Sequence, residues 1–240
     1  MQGIFLTASW EHLIMANYEV DPDLLKPFVP GGTELDDWNG KTFVSLVGFL
    51  FLDTRLRGVS IPFHRNFEEV NLRFYVRCKE GGEWKRGVVF IKEIVPRRAI
   101  ATVARYLYGE PYVRLPMRHE RQWGENGLRV GYSWKFRSEW NFLEVDADPE
   151  AREMPSGSEE EFIAEHYWGY TARGGKQTTT YQVEHPSWRV HPVREHRISF
   201  DAQGLYGARF ADLSERKADS VFLAEGSEII VREGRPLRSG

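Results

Sequence analysis

The sequence predicts a mainly β, α+β chain: an antiparallel barrel or two packed sheets, with a few short helices at the ends. Three stretches carry this reading. Asn66 to Arg77 (NFEEVNLRFYVR) alternates strictly, with Val70, Leu72, Phe74 and Val76 on one face and Glu69, Asn71, Arg73 and Tyr75 on the other. Gly87 to Val95 (GVVFIKEIV) is a nearly continuous β-branched run, the pattern of a central strand covered on both faces. Thr42 to Leu52 (TFVSLVGFLFL) reads as a buried strand directly after Asn39-Gly40, the strongest short hairpin signal.

The remaining elements follow in order. Leu13 to Val20 is a strand ended by Asp21-Pro22, where Asp as N-cap and Pro at the first helical position start a short helix to Phe28. Lys79 to Arg86 is a turn. Arg97 to Tyr108 places Ile100, Val103, Ala104 and Leu107 at three-four spacing and predicts a helix, which Gly109, Pro111 and Pro116 end. Leu128 to Phe136 and Ser138 to Val145 form a strand pair, followed by an acidic surface loop from Asp146 to Ser158. Ser158 with Glu161 makes a capping box for a helix over Glu159 to Tyr167. Gly175 to Glu184 and Trp188 to Val193 are strands, Leu205 to Leu213 is strand or short helix, and Ser220 to Val231 is two strands broken at Glu225-Gly226.

At 240 residues, 41% hydrophobic and 28% charged, the chain has the composition of one ordinary globular domain spanning 1–240. Aromatics reach 14%, which suits both pleated half-buried surfaces and the walls of a small-molecule pocket. A formal charge of -3 without a basic stripe argues against a nucleic-acid partner. No apolar run approaches the roughly 18 residues of a membrane helix, so no membrane partner is expected. The lone Cys78 excludes an internal disulfide and, with no leader pattern in MQGIFLTASWEHL, gives the cytoplasm as the expected location. A homo-oligomer stays open.

Glu69, Asn71, Arg73 and Tyr75 are the first candidates for chemistry, because a barrel strand that turns ionisable groups inward lines a cavity with them. Composition alone favours the alternative of a solvated outer face, and Glu69 lies near enough along the strand to pair with Arg73. Lys92 shares the face of Val88, Phe90 and Ile94 if the strand is regular; desolvated there, it could act as a Schiff-base nucleophile. A bulge would reverse that face. The histidines lack metal-ligand spacing, with His166 and His185 as pocket or structural residues, and no nucleophile elbow, GxGxxG or P-loop occurs. No metal and no cofactor are expected.

Five stretches resemble the YqjF-like branch of the acetoacetate-decarboxylase-like superfamily, the domain of unknown function 2071: Asn17 to Phe49, NFEEVNLRFYV (Asn66 to Val76), RGVVFIKEIVPRRAIATVARYLYGEPY (Arg86 to Tyr112), FIAEHYWGY (Phe162 to Tyr170) and VEHPSWRV (Val183 to Val190). The resemblance implies an antiparallel β cone or barrel of acetoacetate-decarboxylase-like type with an enclosed pocket, and implies that Arg73, Arg105 and Tyr112 lie near it. The decarboxylase has a lysine pair after its glycine-proline turn. Here Tyr112 and Val113 follow Gly109-Glu110-Pro111, and Arg114 cannot form an imine, so decarboxylation does not carry over. The expected ligand is a small organic anion held by Arg73 and Arg105, with Glu69, Asn71 and Tyr112 fixing its orientation and Tyr75 beside it. A lyase-like step on a keto or hydroxy acid without a Schiff-base lysine, with Glu69 or Tyr112 as proton donor, and a structural or regulatory interaction role are the alternatives, and Lys92 is a separate catalytic candidate.

Overall fold

The alternation of residues 66–77 is realised within a strand from Phe67 to Glu80 whose two faces enter two different cores. In this computed structural model the described residues are 2–62, 64–96, 111–124, 127–173 and 177–237. The expected helix at 97–108 lies outside them.

In chain order the strands are β1 (Ile4–Val20), β2 (Glu34–Leu35), β3 (Thr42–Leu56), β4 (Val59–Ser60), β5 (Phe67–Glu80), β6 (Glu83–Val95), β7 (Tyr112–Arg114), β8 (Met117–Gly124), β9 (Gly127–Phe136), β10 (Glu139–Ala147), β11 (Arg152–Glu153), β12 (Trp168–Ala172), β13 (Thr178–Glu184), β14 (Arg189–His191), β15 (Val193–Ser199), β16 (Ser220–Arg232) and β17 (Arg235–Pro236). The helices are α1 (Pro22–Leu25), α2 (Glu159–Ala164) and α3 (Ala202–Tyr206). Strands β16, β1, β3, β5, β6, β12 and β13 hydrogen-bond in that order, and β13 pairs back onto β16, so the sheet closes on itself. Within this ring the β6–β12 contact is parallel and the other pairings are antiparallel.

A second sheet, β15-β10-β9-β8, covers the outer face of the ring. There Val44, Leu46, Val70, Leu72 and Phe74 pack with Tyr132, Trp134 and Leu143. The Tyr132 hydroxyl donates to the His12 carbonyl at 2.9 Å. A Cβ at Gly48 would stand 2.8 Å from the Tyr132 ring, so glycine sets how closely the two sheets approach. The alternate residues Phe43, Val47, Phe49, Phe51 and Tyr75 belong to the inner core. Two apolar cores on either side of one sheet explain why β3 reads as an unbroken apolar run.

Local signals fix the turns. Asn39 and Gly40 take φ of 53° and 80°, and Trp38 and Lys41 bridge across them as a two-residue turn. The β5–β6 hairpin turns at Gly81 and Gly82, so strand pairing runs through most of the stretch read as a turn, with Lys79 opposite Trp84. Asp21 caps α1 through Asp23 N–H, and Ser158 caps α2 through Glu161 N–H. Helix α2 stops at Ala164 rather than Tyr167, which frees Trp168 onward to form β12. The 205–213 stretch is helical, in α3 and a 3-10 segment. Strand β16 runs unbroken through Glu225-Gly226, because Gly226 at φ 86° absorbs the kink opposite Glu11. Strands β8 and β15 were not expected; both are largely exposed and lack an apolar face. No helix among the described residues is long and apolar enough to cross a membrane.

Candidate functional site

Inside the ring lies a cavity of about 120 Å³. Its apolar wall is aromatic: Trp10 stands 5.2 Å from Phe49 and 6.2 Å from Trp188, centroid to centroid, and Phe51 stacks on Phe67 at 4.7 Å. The polar wall comes from the inner face of β5, which presents Glu69, Asn71 and Arg73, joined by Glu93 from β6 and Tyr112 from β7. All but Tyr112 are buried. The sequence preference for a solvated face is therefore reversed for these residues.

Arg73 is weakly compensated. Only 8% of it is exposed, its Nη2 reaches the Ile163 carbonyl at 3.4 Å and the Met15 sulfur at 4.0 Å, and its Nε has no hydrogen-bond partner among the described residues. No carboxylate among those residues forms an ion pair with it, Glu69 included. Glu69 instead accepts from Asn71 Nδ2 at 3.0 Å and from the Tyr112 hydroxyl at 3.3 Å. Asn71 Oδ1 is left without a partner among the described residues. A buried guanidinium keeps its charge, so the desolvation penalty stays until an anion meets it.

Tyr75 continues the same face one step on, but its hydroxyl is bound to Ser45 Oγ at 2.7 Å and its ring packs on Phe162 and His166. It supports the wall rather than lining it. His166 does line the cavity. Its Nε2 lies 3.3 Å from Asp36 Oδ2, and Asp36 also accepts from Arg86 Nε at 2.6 Å. Burial would raise the Asp36 carboxyl, but the hydrogen bonds from His166 and Arg86 and the Arg86 charge outweigh it and hold it at about 2. Burial lowers His166 to about 4 against the pull of Asp36, and the Arg86 and Arg73 charges add to the fall. The imidazole is thus neutral near pH 7, and its Nδ1 has no partner among the described residues. His185 stacks on Trp188 at 4.1 Å, and burial lowers its pKa as well. Among the described residues no cluster of three or more His, Cys, Asp or Glu side chains is placed to hold a metal ion.

The sequence profile of a family described as uncharacterized conserved protein, DUF2071, matches residues 7–228. The chain belongs to that family. It is 31% identical over 132 residues to the uncharacterized protein YqjF of Bacillus subtilis (strain 168), a stretch covering 55% of this chain and about half, 51%, of that relative. Among solved structures it is similar to the acetoacetate decarboxylase of Legionella pneumophila subsp. pneumophila str. Philadelphia 1, with a TM-score of 0.66 at 15% identity over 98% of this chain and 88% of that one. The enduracididine biosynthesis enzyme MppR, solved with pyruvate, gives a TM-score of 0.68 at 14% identity over 100% and 92%. At such identities the likeness is one of fold, and the fold of this DUF2071 chain is acetoacetate-decarboxylase-like.

Lys92 requires a correction. A bulge between Leu72 and Arg73 pairings sets Arg73 against Phe90 and Leu72 against Lys92, so Lys92 leaves the face of Val88 and Phe90. Its ammonium donates to the Leu205 carbonyl of α3, and burial lowers its pKa there, away from the cavity. No lysine among the described residues lines the cavity. Arg105 lies outside those residues. Glu93 was hidden in the sequence by the β-branched run around it; the same bulge returns it to the inner face opposite Asn71. Asp36 carried no signal, because its partner His166 is 130 residues away.

Proposed function

We propose that this protein binds a small organic anion in the cavity of the ring, with Arg73 as the charge partner and the aromatic wall receiving an apolar body. One observation carries the reading: the Arg73 guanidinium is buried in the cavity wall and has no carboxylate partner among the described residues. Asn71 and Tyr112, tied to Glu69, fix the polar end. The test is a panel of aliphatic and aromatic carboxylic acids in thermal-shift and calorimetric titrations. Binding to the wild type and its loss in Arg73→Met are expected; affinity unchanged in the variant for every acid that binds would remove the basis of the reading.

A second reading is a lyase-like enzyme. The Tyr112 hydroxyl at 3.3 Å from Glu69 Oε2 supports it, because the pair could deliver a proton to a bound acid. The same titrations followed by product analysis separate the two, since a binding protein returns the acid unchanged.

A further inference from the structure

We propose that the anion bound in this cavity is a 2-hydroxy acid whose carboxylate meets Arg73 and whose hydroxyl donates to Nδ1 of His166. The proposal rests on the anion-binding reading above and adds the chemistry of the carbon next to the carboxylate.

The argument starts from the tautomer of His166. Asp36 is ionised and accepts only, so the hydrogen between it and the ring belongs to Nε2. Nδ1 therefore carries a lone pair, and it is a buried acceptor without a partner among the described residues, in a side chain that lines the cavity. Asn71 repeats the pattern: its Nδ2 is committed to Glu69, which leaves Oδ1 as a second buried acceptor without a partner among the described residues. Arg73 supplies only donors. Arg73 and His166 both approach the Tyr75 ring, the Arg73 Cζ at 5.7 Å from its centroid and the His166 ring at 4.6 Å and tilted by 44°, and the Arg73 charge is felt at His166.

A wall that offers one guanidinium fork and two lone-pair acceptors is matched by a carboxylate with a donor beside it. A 2-keto acid brings only acceptors and would leave Nδ1 and Oδ1 facing its carbonyl oxygen, which the cavity would reject. A 2-amino acid brings a donor with a positive charge. That charge would have to be desolvated in the buried wall beside the Arg73 guanidinium, a cost a neutral hydroxyl does not carry.

The aromatic wall selects phenyllactate, phenylpyruvate and phenylalanine as matched probes, titrated calorimetrically into the full chain at neutral pH. One enantiomer of phenyllactate is expected to bind at least about tenfold more tightly than either other acid, the size of one satisfied hydrogen bond. In His166→Phe, which keeps an aromatic ring beside Phe162 and Tyr75, the preference over phenylpyruvate should vanish while binding persists. Equal or tighter binding of phenylpyruvate or phenylalanine to the wild type overturns the proposal, whether or not the variant folds, as does a preference that survives in His166→Phe. If the probes bind equally and all depend on Arg73, the hydroxyl assignment falls and the anion site stands; if none binds, both fall.

Discussion

Nε2 of His166 donates to Oδ2 of Asp36 at 3.3 Å, joining two buried ionisable side chains 130 residues apart in the sequence. Through that contact the cavity wall and the stability of the fold share one protonation equilibrium.

Acid should therefore weaken the fold in two stages. The His166 pKa falls from 6.5 unfolded to about 4 folded, so the unfolded chain takes up a proton that the folded chain refuses, and stability declines as pH drops from 6.5 towards 4. His12, also lowered to about 4 by burial and the Arg121 and His191 charges, adds to the same window. Asp36, at about 2 against 3.8, contributes stability that is complete above 3.8 and lost as pH falls to 2. Each group contributes at most roughly 1.4 kcal/mol per pH unit across its window. Urea denaturation at a series of pH values should find a shallower slope between pH 6.5 and 4 in His166→Phe than in the wild type; equal slopes would contradict the account.

Arg73→Met should stabilise the unliganded protein. The substitution keeps the apolar stem and removes a desolvated charge that no carboxylate among the described residues pairs with. A gain on the order of 1–3 kcal/mol is expected in denaturant titrations. A loss of that size would mean that the guanidinium contributes to the fold itself.

Lys92 should be chemically silent. Its ammonium is held by the Leu205 carbonyl on the face away from the cavity. Borohydride reduction in the presence of pyruvate should leave the protein mass unchanged, and Lys92→Met should retain wild-type ligand affinity. A reduced adduct mapped to Lys92 would overturn its placement.

Gly48→Ala should cost about 1–3 kcal/mol, because the new methyl would stand 2.8 Å from the Tyr132 ring and push the second sheet off the ring. Thermal unfolding followed by near-ultraviolet circular dichroism checks this through the buried Tyr132 and Trp134.

The strands with one apolar face or two were legible in the sequence, because burial writes itself as alternation or as an unbroken apolar run. β5 and β3 show the two cases. Strands β8 and β15 were not, since edge strands with charged residues on both faces have no such pattern. The candidate residues Glu69, Asn71 and Arg73 could be named from β5, but not the direction they face: a buried polar wall and a solvated one have the same alternation. What decides it is the closure of β13 onto β16, a contact between Val183 and Val231 that no local signal specifies. The Lys92 reversal has the same origin, a single extra residue in β6 that leaves no mark in composition.

The most direct test is a crystal structure of the wild type with 4-bromophenylacetate, whose bromine is located by anomalous scattering. The account predicts the carboxylate within hydrogen-bonding distance of the Arg73 guanidinium and the bromine among Trp10, Phe49 and Trp188. A cavity without the acid at saturating concentration, or a carboxylate bound away from Arg73, would contradict it.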